Sequence, residues 1–67
     1  MVSAKIIGDR LKQLRGNRTM EDVSSAIGIS RSALSMYECG QRIPRDEIKV
    51  KIASFYNTSI ETIFFAS

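Results

Sequence analysis

Apolar residues return at helical spacing along this chain, but never for long, because glycine interrupts the pattern at Gly16, Gly28 and Gly40. The chain is therefore restricted to short helices joined by tight turns. Ile7, Leu11 and Leu14 stand at i, i+4 and i+7, one face of a helix. Ser3 is its N-cap and Gly16-Asn17 its break, so a first helix is expected over 4–15. Thr19 caps the next, with Glu21 and Asp22 in the first turn where the helix dipole favours negative charge. Val23 and Ile27 share a face beside small Ala26, and Gly28 closes a helix over 20–27. Ser30 caps a third helix over 31–39, with Leu34 and Tyr37 turned inward and Gly40 as its stop.

Gly40 and Pro44 mark a loop. A fourth helix is expected over 45–56, with Asp46 and Glu47 at its start and Ile48, Ile52 and Phe55 on its apolar face. Lys49 and Lys51 are expected as solvated charges on that helix. Asn57 suits its end, and Ser59 caps a last helix over 60–65 that offers Ile60, Ile63 and Phe64 for burial. Phe64 and Phe65 cannot easily both face the core, so one is expected at the surface, where it offers a site for two-fold association. No strand-like alternation competes, and the expectation is an all-α, compact five-helix bundle forming a single domain over 1–67.

Sixty-seven residues leave room for one small domain. Such a core seldom supplies more than about 3–5 kcal/mol, so regular helices or self-association would help it. The longest apolar runs fall far short of the roughly 20 residues that span a bilayer, and the N-terminus lacks the apolar stretch of a signal peptide. The chain has no histidine, hence no imidazole base, ligand or pH switch. Its single Cys39 can neither close an internal disulfide nor hold zinc alone. That fits a reducing cytoplasm, and Cys39 reads as an incidental small residue. With no acidic pair in a Gly-rich pocket motif and no metal-ligand cluster, no catalysis, metal or cofactor is expected. Ten Lys and Arg against seven Asp and Glu leave a net charge of +3, which permits an anionic partner without requiring one.

The stretch 20–37 has the organisation of a helix-turn-helix, two short helices joined by a turn with one glycine. Ser24 is small where the second helix crosses, and Gly28 permits a positive φ in the turn. Val23, Ile27, Ile29, Leu34 and Tyr37 are apolar where the two helices hold each other.

Five stretches extend the pattern: Gly8-x-Arg10-Leu11-Lys12-x-Leu14-Arg15; residues 19–30; Ser30-Arg31-Ser32-Ala33-Leu34-Ser35-Met36-Tyr37-Glu38; the loop Gly40-x-Arg42-x-Pro44; and Ile52-Ala53 through Ser59. In this order and spacing the chain resembles, over nearly its whole length, the phage-repressor and Cro-like (XRE-like) helix-turn-helix domains. The resemblance implies a lambda-repressor-like DNA-binding fold and a prokaryotic or mobile-element setting. Three departures stand out. The loop between Arg15 and Thr19 is shorter than usual for the family. Ser24 replaces the usual Ala, and its hydroxyl can bond back to its own helix. Met20 replaces the Gln that commonly contacts phosphate, leaving the backbone N–H groups of that helix end for an anion.

The resemblance also assigns roles. Arg31, Ser32, Ser35 and Met36 would face base edges in the major groove. An Arg matches guanine O6 and N7 as a fork, Ser bonds several bases, and Met36 suits a thymine methyl. Thr19, Met20, Ser30, Gln41 and Arg42 would clamp phosphates on either side, with Arg10 and Arg18 as further cations. The same residues also have an ordinary reading, in which Arg31, Ser32 and Ser35 are solvated surface, Thr19 and Ser30 are caps and Met36 is flank packing. The resemblance further implies an ion pair between Arg15 and Glu38. Physically, an unpaired carboxylate at Glu38 would repel phosphate, and a guanidinium fork would neutralise it.

The expected function is sequence-specific binding of double-stranded DNA by a transcriptional regulator, a repressor, working as a homodimer on a two-fold operator. Nothing in the sequence implies a small-molecule ligand. The rival from another class is a small protein-interaction module, such as an antitoxin or adaptor, built on the same fold.

Overall fold

Three hydroxyls start three helices in the computed structural model, which describes residues 2–67. Ser3, Thr19 and Ser30 accept hydrogen bonds from the backbone N–H groups of Ile6, Asp22 and Ala33 at 3.3, 3.0 and 3.0 Å. Each satisfies a donor that a helix start would otherwise leave orphaned. The helices they open are α1, Ala4–Arg15, α2, Met20–Ile27, and α3, Arg31–Glu38. Helix α4, Asp46–Phe55, follows, and α5, Glu61–Phe65, completes an all-helical bundle with no strand among the described residues.

The first two helices have the expected bounds, and the later three differ for identifiable reasons. Helix α3 ends at Glu38, not Cys39, because Gly40 takes a φ of 75° and the Gln41 N–H turns back to the Met36 carbonyl at 3.0 Å. Helix α4 begins at Asp46, since Arg45 is extended (φ −68°, ψ 163°) and stands outside the helix as a cap without a side-chain bond. It ends at Phe55, because Asn57 is left-handed (φ 54°) and the Thr58 N–H closes on the Ala53 carbonyl at 3.0 Å. The last segment is a π-helical turn, with the Ala66 N–H reaching the Glu61 carbonyl at 2.7 Å. Its carbonyls have an external partner. Arg10 of α1 donates to the oxygens of Thr62, Ile63 and Ala66 at 3.0, 3.0 and 2.6 Å.

The core is formed by Ile7 and Leu11 of α1, Val23 of α2, Leu34 of α3, Ile52 of α4, and Ile63 and Phe64 of α5, all essentially inaccessible to water. Phe65 is 42% exposed, so one of the two adjacent phenylalanines does stay at the surface. Lys49 is not solvated as expected. It is buried, with its ammonium 5.7 and 5.3 Å from the Phe64 and Phe65 ring centroids and 3.4 Å from an Asp46 carboxylate oxygen. Its long stem is covered while the charge faces two π-systems and an acid. Lys51 is exposed.

Tyr56, just past α4, has a hydroxyl buried with no hydrogen-bond partner. Burial, and then the nearby Glu38 carboxylate, push its phenol above the ordinary value, while Arg18 and Arg15 oppose this. A buried unsatisfied hydroxyl destabilises a fold by roughly 1–3 kcal/mol. Tyr56→Phe is therefore expected to raise the thermal midpoint, by a few degrees for a domain this small. A lowered midpoint would show that the hydroxyl has a partner in solution.

Candidate nucleic-acid interface

The elements that could meet a nucleic acid are α2, the turn and α3, and their placement follows from packing. Val23, Ile27, Leu34 and Tyr37 are buried together and fix the two helices on each other. Ser24 is 3% exposed, and its hydroxyl donates to the Glu21 carbonyl at 3.2 Å, so the small polar residue fits without an unsatisfied group. Gly28 adopts a φ of 89° and its N–H returns to the Ser24 carbonyl at 2.9 Å, giving the tight turn that the residue type permits.

Beside their shared core, α1 holds α3 from beneath at Gly8 and at Arg15. At Gly8 the backbones touch. A Cβ there would collide with the Glu38 carbonyl oxygen and would stand 2.9 Å from that of Tyr37. Beside this crossing, Arg15 and Glu38 form a fork, Nε to Oε2 at 2.8 Å and Nη2 to Oε1 at 3.1 Å. Glu38 is only 2% exposed. Its hydrogen bond holds the Arg15 guanidinium above its ordinary pKa, with burial opposing. The third corner of that guanidinium, Nη1, donates to the Arg18 carbonyl at 2.8 Å, which ties the α1–α2 loop to the same pair.

With Leu34, Tyr37 and Glu38 buried, the other side of α3 carries Arg31 and Ser32, both exposed, and Ser35 and Met36, both half-buried. Thr19, Ser30, Gln41 and Arg42 are exposed around it. The Thr19 and Ser30 hydroxyl oxygens are engaged as caps. Met20 is half-buried against the core, so its side chain turns away from solvent and it offers a backbone N–H.

Besides Lys49, already described against Asp46 and the two phenylalanine rings, the cations divide into two groups. Lys5 pairs with Asp9, and Arg10 and Arg15 are committed as above. Arg18 donates to the Leu14 carbonyl at 2.9 Å and lies over the Phe55 and Tyr56 rings, so neither Arg10 nor Arg18 extends outward as a loose phosphate ligand. Lys12, Arg31, Arg42, Arg45 and Lys51 are exposed and make no ion pair or side-chain hydrogen bond among the described residues. Three of these, Arg31, Arg42 and Arg45, stand on α3 or on the segment that leaves it. Arg45 was missed by sequence reasoning, which placed it inside a helix. Its position between Pro44 and the acidic first turn Asp46-Glu47 was the available signal for a cap.

Among the described residues no group of His, Cys, Asp and Glu is placed to hold a metal, and no helix is long and apolar enough to cross a membrane.

Comparison with known proteins agrees with this geometry. A family model described as helix-turn-helix matches residues 11–63. An uncharacterised HTH-type transcriptional regulator of Methanocaldococcus jannaschii is 36% identical over 58 residues, covering 84% of this chain and 88% of that protein. A protein of Methanoregula boonei named as an HTH-type transcriptional regulatory protein is 35% identical over 57 residues. This match covers 82% of the present chain but only 18% of that longer relative. No solved structure matches the chain.

Proposed function

The chain belongs to the XRE-like helix-turn-helix family of DNA-binding transcriptional regulators, and on that premise we propose that it represses transcription by laying α3 in the major groove of a specific duplex operator. The observation that carries this reading is the outward side of α3. Arg31, Ser32, Ser35 and Met36 stand there, the exposed cations Arg42 and Arg45 lie on the segment that leaves the helix, and the one carboxylate of that helix, Glu38, is already neutralised. In this reading Arg31, opening the helix, reads a guanine through O6 and N7, Ser32 and Ser35 bond neighbouring bases, and Met36 covers a thymine methyl. Thr19, Met20 and Ser30 bring helix N-termini to phosphates, and Gln41 and Arg42 hold the opposite strand. One module makes few base contacts, so two copies on a two-fold site supply the specificity.

Two substitutions test the assignment in a single binding experiment. Arg31→Ala should weaken binding to the cognate site by about 1–3 kcal/mol and relax preference at one base pair. Arg42→Ala should weaken cognate and random duplexes alike and reduce the salt slope of log K by about one unit. Equal weakening on all sequences by Arg31→Ala would move that residue to phosphate, and an unchanged slope would remove Arg42 from the interface. A duplex affinity that does not fall with salt would replace the DNA reading with that of a protein-interaction module.

A further inference from the structure

On the α1–α5 side of the bundle lies a cleft of about 460 Å³, within the range of small-molecule sites. Its lining includes Arg10, Gln13, Leu14, Thr58, Ile63 and Ala66. We propose that this cleft binds a small carboxylate with a short aliphatic tail, captured by the guanidinium of Arg10. The inference goes beyond the DNA reading and does not depend on it.

Arg10 is fixed before any ligand arrives. Its Nη1 donates to two carbonyls and its Nη2 to one, on Thr62, Ile63 and Ala66. A guanidinium carries five N–H groups. Among the described residues no hydrogen bond is made by the Nε–H, and one of the two Nη2–H groups is left over, so two donors on neighbouring nitrogens of one plane are available to the oxygens of a carboxylate. All three partners are neutral, and no carboxylate pairs with Arg10 among the described residues. Its charge is thus half-buried in a cleft wall without a counter-ion. Leu14, Ile63 and Ala66 supply apolar surface, while the Gln13 amide and the Thr58 hydroxyl supply polar groups at the same cleft. A rigid cation beside apolar walls selects an anionic head with an apolar tail. Holding the guanidinium in advance removes the side-chain ordering that an exposed Arg would undergo on binding.

The test is a titration of the full chain, followed by amide chemical shifts, with three probes: hexanoate, 1-hexanol and inorganic phosphate. Hexanoate should saturate in roughly the millimolar range and shift Arg10, Ile63 and Ala66. Hexanol, lacking the charge, and phosphate, lacking the tail, should each bind at least about tenfold more weakly. Arg10→Ala also frees the carbonyls of α5, so a milder variant carries the decision. Gln13→Glu leaves Arg10 in place and sets a carboxylate one helical turn away, where it competes for the free fork. It should abolish hexanoate binding while the amide spectrum stays folded. No shift at these residues with hexanoate, equal binding of hexanol or phosphate, or undiminished binding by Gln13→Glu would each overturn the proposal.

Discussion

Gly8→Ala should destabilise the protein by about 3 kcal/mol or more, against the direction that helix propensity dictates. In an unencumbered helix interior, alanine is favoured over glycine by roughly 1 kcal/mol. Here the added methyl would collide with the Glu38 carbonyl oxygen and stand 2.9 Å from the Glu38 carbonyl carbon and from the Tyr37 oxygen. All three atoms are backbone, so no side chain can rotate aside. Relief requires α1 and α3 to separate, opening the core at Ile7, Leu11 and Leu34, which are fully buried. A small core supplies only about 3–5 kcal/mol, so the variant should be largely unfolded at 25 °C by circular dichroism and urea titration. A midpoint that rises, as propensity alone would have it, would show that the helix crossing is looser than the structure indicates.

The second large effect lies beside that crossing. Arg15→Met and Glu38→Leu should each destabilise by about 3–5 kcal/mol, because each leaves its partner as an uncompensated charge. Arg15→Met should be the more severe, since it leaves the Glu38 carboxylate unpaired at 1% side-chain exposure and removes the bond to the Arg18 carbonyl, whereas Glu38→Leu leaves an Arg15 guanidinium that is 22% exposed at its side chain and can find water. The double variant should recover much of the loss, as replacement of a buried pair by apolar groups often does. Recovery will be incomplete, because any substitution of Arg15 also removes its bond to the Arg18 carbonyl at 2.8 Å. A coupling energy indistinguishable from zero in the double-mutant cycle would mean that the pair does not hold α3 on α1.

Capping chemistry is local, which is why much of the fold could be read from the sequence. Ser3, Thr19 and Ser30 each announce a helix through a hydroxyl and a backbone N–H three residues on, and the bounds of α1 and α2 follow. The misreadings have distant causes. Lys49 looks solvated by composition, yet it is covered by Phe64 and Phe65, which no pattern within α4 reveals. The π-helical turn of α5 is accompanied by hydrogen bonds from Arg10, 52 residues before Thr62. Arg45 lies outside α4 although a charged residue beside an apolar face reads as helical. For the candidate interface, periodicity shows only that Arg31, Ser32, Ser35 and Met36 are not core positions. Their assignment to base edges rests on the family pattern, because solvated polar residues and base-reading residues look alike in a sequence. No spacing rule links Arg15 with Glu38, 23 residues apart, so that pair too was accessible only through the resemblance.

Selection of bound sites from random duplexes, performed in parallel with the unaltered chain and with Arg31→Ala, decides whether α3 reads DNA sequence. The unaltered chain should enrich a motif made of two inverted half-sites, each containing a guanine. Arg31→Ala should enrich the same motif with that guanine position alone relaxed. Failure to enrich any motif at an ionic strength where duplex is retained, or an identical motif for both proteins, would contradict sequence reading by α3.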